Sequence, residues 1–211
     1  MRAGPEGICL AGQTLKNGGI AAFPTDTVYG LGALYNDADA VRKVFTAKGR
    51  PEEKPLSILI SDKEQVGLLA CDVGSTARIL MDRFWPGALT LIFQKNEDAR
   101  IPEEITRGLS TIGIRLPDSE TAIKVIKEAG APVAAPSANI SGTRSAACAQ
   151  EVVDDLDGKV DLILDGGNCP VGVSSTVLDL SEERNGRIRI LREGTITRRM
   201  IEDAIGMPVG G

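Results

Sequence analysis

Lys48 and Arg50 stand two residues apart in the segment KGRPEEKP, which also carries Lys54. Lysine offers a point charge and arginine a planar fork, and together they suit phosphate oxygens. Pro51 and Pro55 stiffen the segment and lower the cost of ordering it around an anion. The competing reading is a capped helix end, with Lys48 placed favourably for the dipole, followed by a solvated loop. Arg115 lies inside the apolar run TIGIRL, and arginine is rarely buried unpaired. It answers either a carboxylate of this chain or, bidentately, the carboxylate of a ligand. Hydroxyl and amide groups cluster in PSANISG, with Ser137, Asn139 and Ser141, and in TDTVYG, where Thr25 and Thr27 bracket Asp26. Such residues close turns, and they also supply donors for phosphate and hydroxyl groups. Asp26 reads as a turn cap rather than a general base, and DGGN at 165–168 reads as a turn.

Other chemistries are excluded by composition. The 211 residues include no histidine, which removes Ser-His-Asp and Cys-His triads and every His-bearing metal site. Cys9, Cys71, Cys148 and Cys169 form no C-x-x-C pair and read as free thiols, kept reduced in a cytosolic setting. There is no Walker A sequence and no G-x-G-x-x-G after a strand, so a nucleotide has to be held by scattered cations and hydroxyls. A net charge of −5 argues against a domain built only to hold nucleic acid, though it leaves room for a local basic pocket. Aromatics at 3% are too few for a stacking platform along a single strand. No apolar run approaches a membrane span and the N-terminus lacks a signal-peptide core, so a cytoplasmic location is expected.

Short β-branched runs alternating with amphipathic stretches must position these groups. Helices are expected over 8–16, 37–47, 75–84, 119–129, 146–156 and 198–205. Ser61 and Glu64 form a capping-box signature, Asp118 is a candidate cap, Thr197 can cap the final helix, and Ile79, Leu80 and Phe84 make the apolar stripe of 75–84. Strands are expected at 20–24, 56–60, 89–93, 111–116, 132–136, 160–165, 175–180 and about 188–191, with TDTVYGLG a loop. Asn185-Gly186 signals a hairpin, so the last two strands are expected to run antiparallel. The implied fold is α/β with a mixed sheet in one domain, and the polar clusters meet beyond the strand ends.

In order along the chain, FPTDTVYGLG, KGRPEEKPLSILI, WPGALTLI, TIGIRLP, APSANISG and DGG…GVSSTVLDL…ILREG resemble the YrdC family, over roughly residues 8–205. The resemblance implies an open twisted sheet with flanking helices around a deep, positively lined cavity. It implies a single YrdC-like domain over 1–211, since the chain ends at Gly211 without the extra domain of another family form. The activity implied is formation of L-threonylcarbamoyladenylate and pyrophosphate from L-threonine, bicarbonate and ATP. The product serves N6-threonylcarbamoyladenosine modification of tRNA. Mg²⁺ accompanies ATP as the cofactor, with no protein metal site. Partners implied are a possible tRNA contact and tRNA-modification transferases, with no membrane.

Carried over by position, Thr27, Arg115, Ala135 and Ser175 line the threonine side, with Arg115 on the carboxylate. Arg50, Lys54, Thr111, Ser137, Asn139, Ser145 and Arg192 line the ATP side, and Lys48 and Arg50 are the catalytic cations. They would screen the repulsion between a carbamate and the triphosphate and stabilise the leaving pyrophosphate. The chain departs from the family at Leu59, where some members have histidine, at Lys54, where some have asparagine, and at Arg192-Glu193-Gly194, which replaces a commoner R-P-G. Two alternatives stand beside this: a non-catalytic RNA-binding module using the same basic cavity, and an enzyme adenylylating a different carbamoyl compound. The second exists as YrdC-like domains of hydrogenase maturation proteins, whose acylphosphatase and zinc-finger sequences this chain lacks.

Overall fold

The computed structural model describes residues 1–210. Helix α1 (Pro5–Lys16) precedes strands β1 (Ala21–Phe23) and β2 (Gly30–Leu34) and helix α2 (Ala38–Lys48). Then come β3 (Ser57–Leu59), α3 (Val66–Leu69), α4 (Ser75–Phe84), β4 (Leu89–Gln94), α5 (Glu103–Thr106) and β5 (Thr111–Arg115). The chain continues through α6 (Glu120–Ala129), β6 (Val133–Ala134), α7 (Ala149–Leu156), β7 (Leu162–Ile163), β8 (Thr176–Glu182), β9 (Arg187–Arg192) and α8 (Arg198–Ile205).

The strands form one mixed sheet in the order β7-β1-β2-β6-β3-β5-β4-β8-β9. The pairs β1–β7, β3–β5 and β4–β8 are parallel and the others antiparallel. The mixed sheet expected from the sequence is present, and β8 and β9 are antiparallel as Asn185-Gly186 implied. The turn is not a two-residue one, however. A single 3₁₀ turn, Glu183–Asn185, comes first and Gly186 then takes the left-handed conformation at φ +70°.

Side chains alternate across each strand, so the sheet has two different faces. On one face Phe23, Leu59 and Val133 pack with Leu15, Val125 and Ile126 of α1 and α6. The two helices approach closely because Gly12 has no side chain; a Cβ there would lie 2.3 Å from Glu128 Cβ. On the other face Leu31, Ile58, Leu91, Ile114 and Leu178 join a larger core with residues of α2, α4, α7 and α8. Helices α1 and α6 cover only the β7-to-β3 half of their face. From β3 across β5, β4 and β8 the same face is open, with Ser57, Thr90, Ile92, Thr111, Gly113, Arg115, Val177 and Asp179 lining a cavity.

Several local expectations differ from the structure. TDTVYGLG is not all loop, because Gly30–Leu34 is a central strand. Its glycines and alanines carry no strand signal. Gly32 is required there since a Cβ would come within 2.7 Å of Phe23 and Val133 side chains. Asp62, not Ser61, caps the turn at 63–65. Ser61 instead donates from its backbone N–H to Gln65 Oε1, at 2.8 Å. Ser119, not Asp118, caps α6, accepting from Ala122 N. Ile79 is 46% exposed, and α4 buries Ala77, Leu80 and Met81, the face turned toward α8. The Thr197 cap of α8 is as expected, and Gly130 stops α6 in the left-handed conformation.

Candidate functional site

The uncovered half of the sheet face is the floor of a cavity of ≈ 450 Å³. Ser57 and Leu59 of β3, Thr90 and Ile92 of β4, Thr111, Gly113 and Arg115 of β5, and Val177 and Asp179 of β8 line it. Each set is spaced by two, so one face of four neighbouring strands supplies the floor. The sequence reading placed the polar clusters beyond the strand ends. The structure bears this out for the walls, where Thr25–Tyr29, Pro55–Leu56, Ala135–Ser137, Ser174–Ser175 and Arg192 stand at strand ends, and corrects it for the floor, which is a strand face. The signal was present in the alternation of Thr111, Gly113 and Arg115 with buried Ile112 and Ile114.

Arg115, 5% exposed, lines the cavity. Its Nε donates to Gly87 O at 2.9 Å, Nη1 to Thr27 Oγ1 at 2.8 Å, and Nη2 to Asp26 Oδ1. Both sequence alternatives therefore hold in part. The guanidinium has an internal carboxylate partner, yet it lines the cavity and keeps one N–H on each terminal nitrogen uncommitted. Burial lowers the Arg115 pKa, the Asp26 charge opposes that shift, and Arg192 reinforces it. Asp26 is thus a counter-charge rather than a turn cap. Thr25 closes the turn, its Oγ1 accepting from Thr27 N at 3.2 Å and Val28 N at 3.3 Å. Tyr29, fully buried, fastens the 166–168 turn: its hydroxyl donates to Gly167 O at 2.8 Å and accepts from Gly166 N at 3.1 Å. Burial pushes the Tyr29 pKa to about 12, so it is a fixed neutral strut.

Two further cations line the cavity. Arg50 and Arg192 both line the cavity, and neither has a carboxylate partner among the described residues. Burial and then the Arg192 charge lower the Arg50 pKa, and burial lowers that of Arg192. Two guanidinium groups that repel each other in one cavity would be stabilised by an anion between them. Arg192 is aimed by Ser175, whose carbonyl accepts from Nε at 3.0 Å. Ser175 Oγ is 2.8 Å from Thr90 Oγ1 and 3.4 Å from Arg192 Nη2. Thr90, which the sequence reading did not single out, thereby orients a wall residue. Asp179 carries the one carboxylate among the lining residues described, and Arg189 pairs with it at 3.0 Å.

Of the residues named from sequence, Thr27, Arg50, Thr111, Arg115, Ala135, Ser137, Ser175 and Arg192 meet in this one cavity. Lys48, Lys54, Asn139 and Ser145 do not line it. Lys48 is 1% exposed; its ammonium donates to the carbonyls of Ser137 and Asn139 and lies 3.4 Å from Asn139 Oδ1. Burial, then Arg50, lowers its pKa to about 8. It is a post behind the wall loop, while Asn139 crosses the same loop, donating to Ile140 O at 2.8 Å and Thr143 O at 3.0 Å. The Ser137 hydroxyl donates to Asn139 Oδ1 at 2.5 Å, so toward the cavity it presents acceptor electrons. The Lys54 side chain is exposed to solvent, and the residue meets Arg50 through its carbonyl, which accepts from Arg50 Nε at 3.2 Å. Ser145 Oγ lies 3.4 Å from Ser174 Oγ, one layer behind the wall. The anion clamp expected of KGRPEEKP is therefore reduced to Arg50, because the helix end turns Lys48 inward and the loop turns Lys54 outward.

Residues 13–194 match the sequence model of the Sua5, YciO and YrdC proteins, described as Telomere recombination. A curated relative, threonylcarbamoyl-AMP synthase of Bacillus subtilis, is 46% identical over 199 residues, which are 94% of this chain and 56% of that protein. The crystal structure of Pyrococcus abyssi Sua5 complexed with L-threonine is similar at a TM-score of 0.91 and 44% identity, covering 97% of this chain and 58% of that one. The solution structure of the MTH1692 protein from Methanobacterium thermoautotrophicum is similar at a TM-score of 0.69 and 41% identity, covering 90% and 88% of the two chains. The chain thus spans somewhat over half the length of the first two relatives.

Proposed function

Since the chain belongs to the Sua5/YciO/YrdC family, we propose that it makes threonylcarbamoyl-AMP and pyrophosphate from L-threonine, bicarbonate and ATP. The observation that carries the reading is the cationic lining of the cavity. One guanidinium, Arg115, keeps two uncommitted N–H groups, and two others, Arg50 and Arg192, line the same cavity without counter-charges. That arrangement suits a carboxylate at the first and phosphates at the other two.

In this reading Arg115 receives the threonine carboxylate beside Thr27, Ala135 and Ser175. The amine and bicarbonate condense to a carbamate with loss of water. A carbamate oxygen then attacks the α-phosphorus of ATP, the Pα–O bond to the β-phosphate breaks, and pyrophosphate leaves. Both reactants are anions, so the protein's contribution is to screen and to orient. Arg50 and Arg192 face the accumulating charge, and juxtaposition itself is worth up to about 7–11 kcal/mol in well-oriented systems. Thr111 and Ser137 flank the same path. Lys48 and Asn139 act by fixing the Ser137 wall, Ser145 supports Ser174, and Lys54 lends its carbonyl to Arg50. No histidine is needed, because the carbamate is already the nucleophile. Mg²⁺ enters as the ATP complex, held by phosphate oxygens, where it supplies further charge neutralisation. Among the described residues no group of three His, Cys, Asp or Glu side chains could hold an ion.

The product's use in tRNA modification, with a transferase receiving it in the cytoplasm, completes the proposal. No helix among the described residues is long and apolar enough to cross a membrane. The test is pyrophosphate release by purified protein with ATP and Mg²⁺. Release that requires L-threonine and rises with bicarbonate is expected; release indifferent to threonine refutes the proposal. Salt-dependent tRNA binding without any turnover would instead favour the RNA-binding alternative.

A further inference from the structure

The loop that carries Arg50 is fastened from outside. Arg107 ends the short helix α5 in the left-handed conformation, at φ +55°, and Gly108 follows at φ +79°. That region disfavours any residue with a Cβ, so an arginine persists there only where its surroundings fix it. They do. The guanidinium lies over the Phe45 ring, 4.8 Å from the centroid, and Nε donates to the Glu52 carbonyl. Nη2 is 3.4 Å from the Glu52 carboxylate, but that group is 90% exposed, so the ring and the carbonyl make the anchorage.

Glu52 lies in the Pro51–Pro55 loop, and the inner side of the same loop holds Arg50. The Nε of Arg50 donates to Lys54 O at 3.2 Å and Nη2 to Pro55 O at 2.8 Å. Its guanidinium lies over the same Phe45 ring, 5.9 Å from the centroid. One ring and one loop therefore join an arginine outside the cavity wall to an arginine that forms part of it.

We propose that Arg107 is a positioning residue: by gripping the Phe45 ring and the Glu52 carbonyl it sets the Pro51–Pro55 loop, whose carbonyls aim Arg50 at the phosphates of the nucleotide. The identity of what Arg50 meets rests on the function proposed above; the anchorage itself does not.

The experiment pairs Arg107→Gly with Arg107→Lys. Glycine accepts the left-handed backbone without strain, so the variant keeps its fold while losing the grip. In the ligand-free protein the Arg50 and Lys54 amides, bonded to Phe45 O at 3.0 Å and Pro51 O at 3.2 Å, exchange faster in Arg107→Gly, and the amides of β5 do not change. The KM for ATP rises about tenfold, the equivalent of one charge-assisted hydrogen bond, while that for threonine stays constant. Arg107→Lys recovers little of this, because an ammonium cannot supply the planar fork. In an Arg50→Ala background the Arg107→Gly effect on KM vanishes, since the residue acts through Arg50. Unchanged exchange at 50–55 overturns the proposal, and so does an ATP effect that survives in the Arg50→Ala background. Faster exchange in a protein whose wild type shows no ATP dependence leaves the anchorage standing and removes the functional reading instead.

Discussion

Replacing Arg115 by alanine separates two things the guanidinium does at once. In the ligand-free protein it balances Asp26 and donates to Thr27 and Gly87. Its removal strands the Asp26 carboxylate, whose side chain is only 8% exposed. Breaking a buried ion pair from one side costs about 3–5 kcal/mol, and water entering from the cavity favours the lower figure, about 3 kcal/mol. Against a total stability of about 5–15 kcal/mol, the variant folds but unfolds at lower urea. Adding Asp26→Asn to the same chain removes the orphaned charge and should restore about 2 kcal/mol of that loss. Threonine binding follows a different course. Neither variant offers a fork to a ligand carboxylate, and losing it costs about 3 kcal/mol, a rise of roughly 150-fold in Kd. Urea unfolding and calorimetric titration with L-threonine, on wild type, Arg115→Ala and Arg115→Ala/Asp26→Asn, test both halves. The expected result is a double variant that regains stability and still fails to bind. If binding returns with stability, Arg115 serves only as the counter-charge of Asp26. A threonine Kd unchanged in Arg115→Ala refutes the reasoning outright.

Lys48 gives a pH test. Its folded pKa of about 8 lies below the ordinary 10.5, so between those values the unfolded chain binds a proton that the folded chain has shed. Its contribution to stability therefore rises across that window, by at most about 1.4 kcal/mol per pH unit, and the difference in urea unfolding between wild type and Lys48→Met should grow with pH. A difference that shrinks would contradict the sign. Gly194→Ala should depress turnover through Arg192, because a Cβ there would lie 2.3 Å from Ser174 O and 2.8 Å from Thr176 N, forcing the 174–176 wall or the turn after β9 to move; activity equal to wild type would show that the turn yields freely. Burial raises the Cys169 thiol to about 11, whereas Cys71 is exposed, so a thiol reagent at pH 8 should modify Cys71 in the folded protein and reach Cys169 only after unfolding. Peptide mapping after alkylation distinguishes them.

The parts of the fold that sequence disclosed were those with a strong local cause. Thr197 as a cap, Asn185-Gly186 as a hairpin signal and the β-branched run of β5 all act within a few residues. Gly30–Leu34 escaped because what makes it a strand is pairing with β1 and β6, and its residues are small for the sake of neighbours far away in sequence. The same limit applied to the site. Residue types announced that Arg50, Arg115 and Arg192 would need anionic partners, yet type alone could not say which way a long side chain points. Lys48 looked like the better phosphate ligand. At the last turn of α2, however, its ammonium is turned to the carbonyls of Ser137 and Asn139. Thr90 and Arg107 gave no signal of their own, since each matters through the residue it holds.

Ser175 precedes β8 and Arg192 ends β9, an edge strand whose far side is hydrogen-bonded to Gly210 and whose Ile188 and Ile190 reach the core. Loosening of that border would release the Arg192 guanidinium and the Ser175 carbonyl that aims it while the middle of the sheet stays paired. Under the proposed function, turnover of ATP on heating should then be lost before the bulk of the protein unfolds.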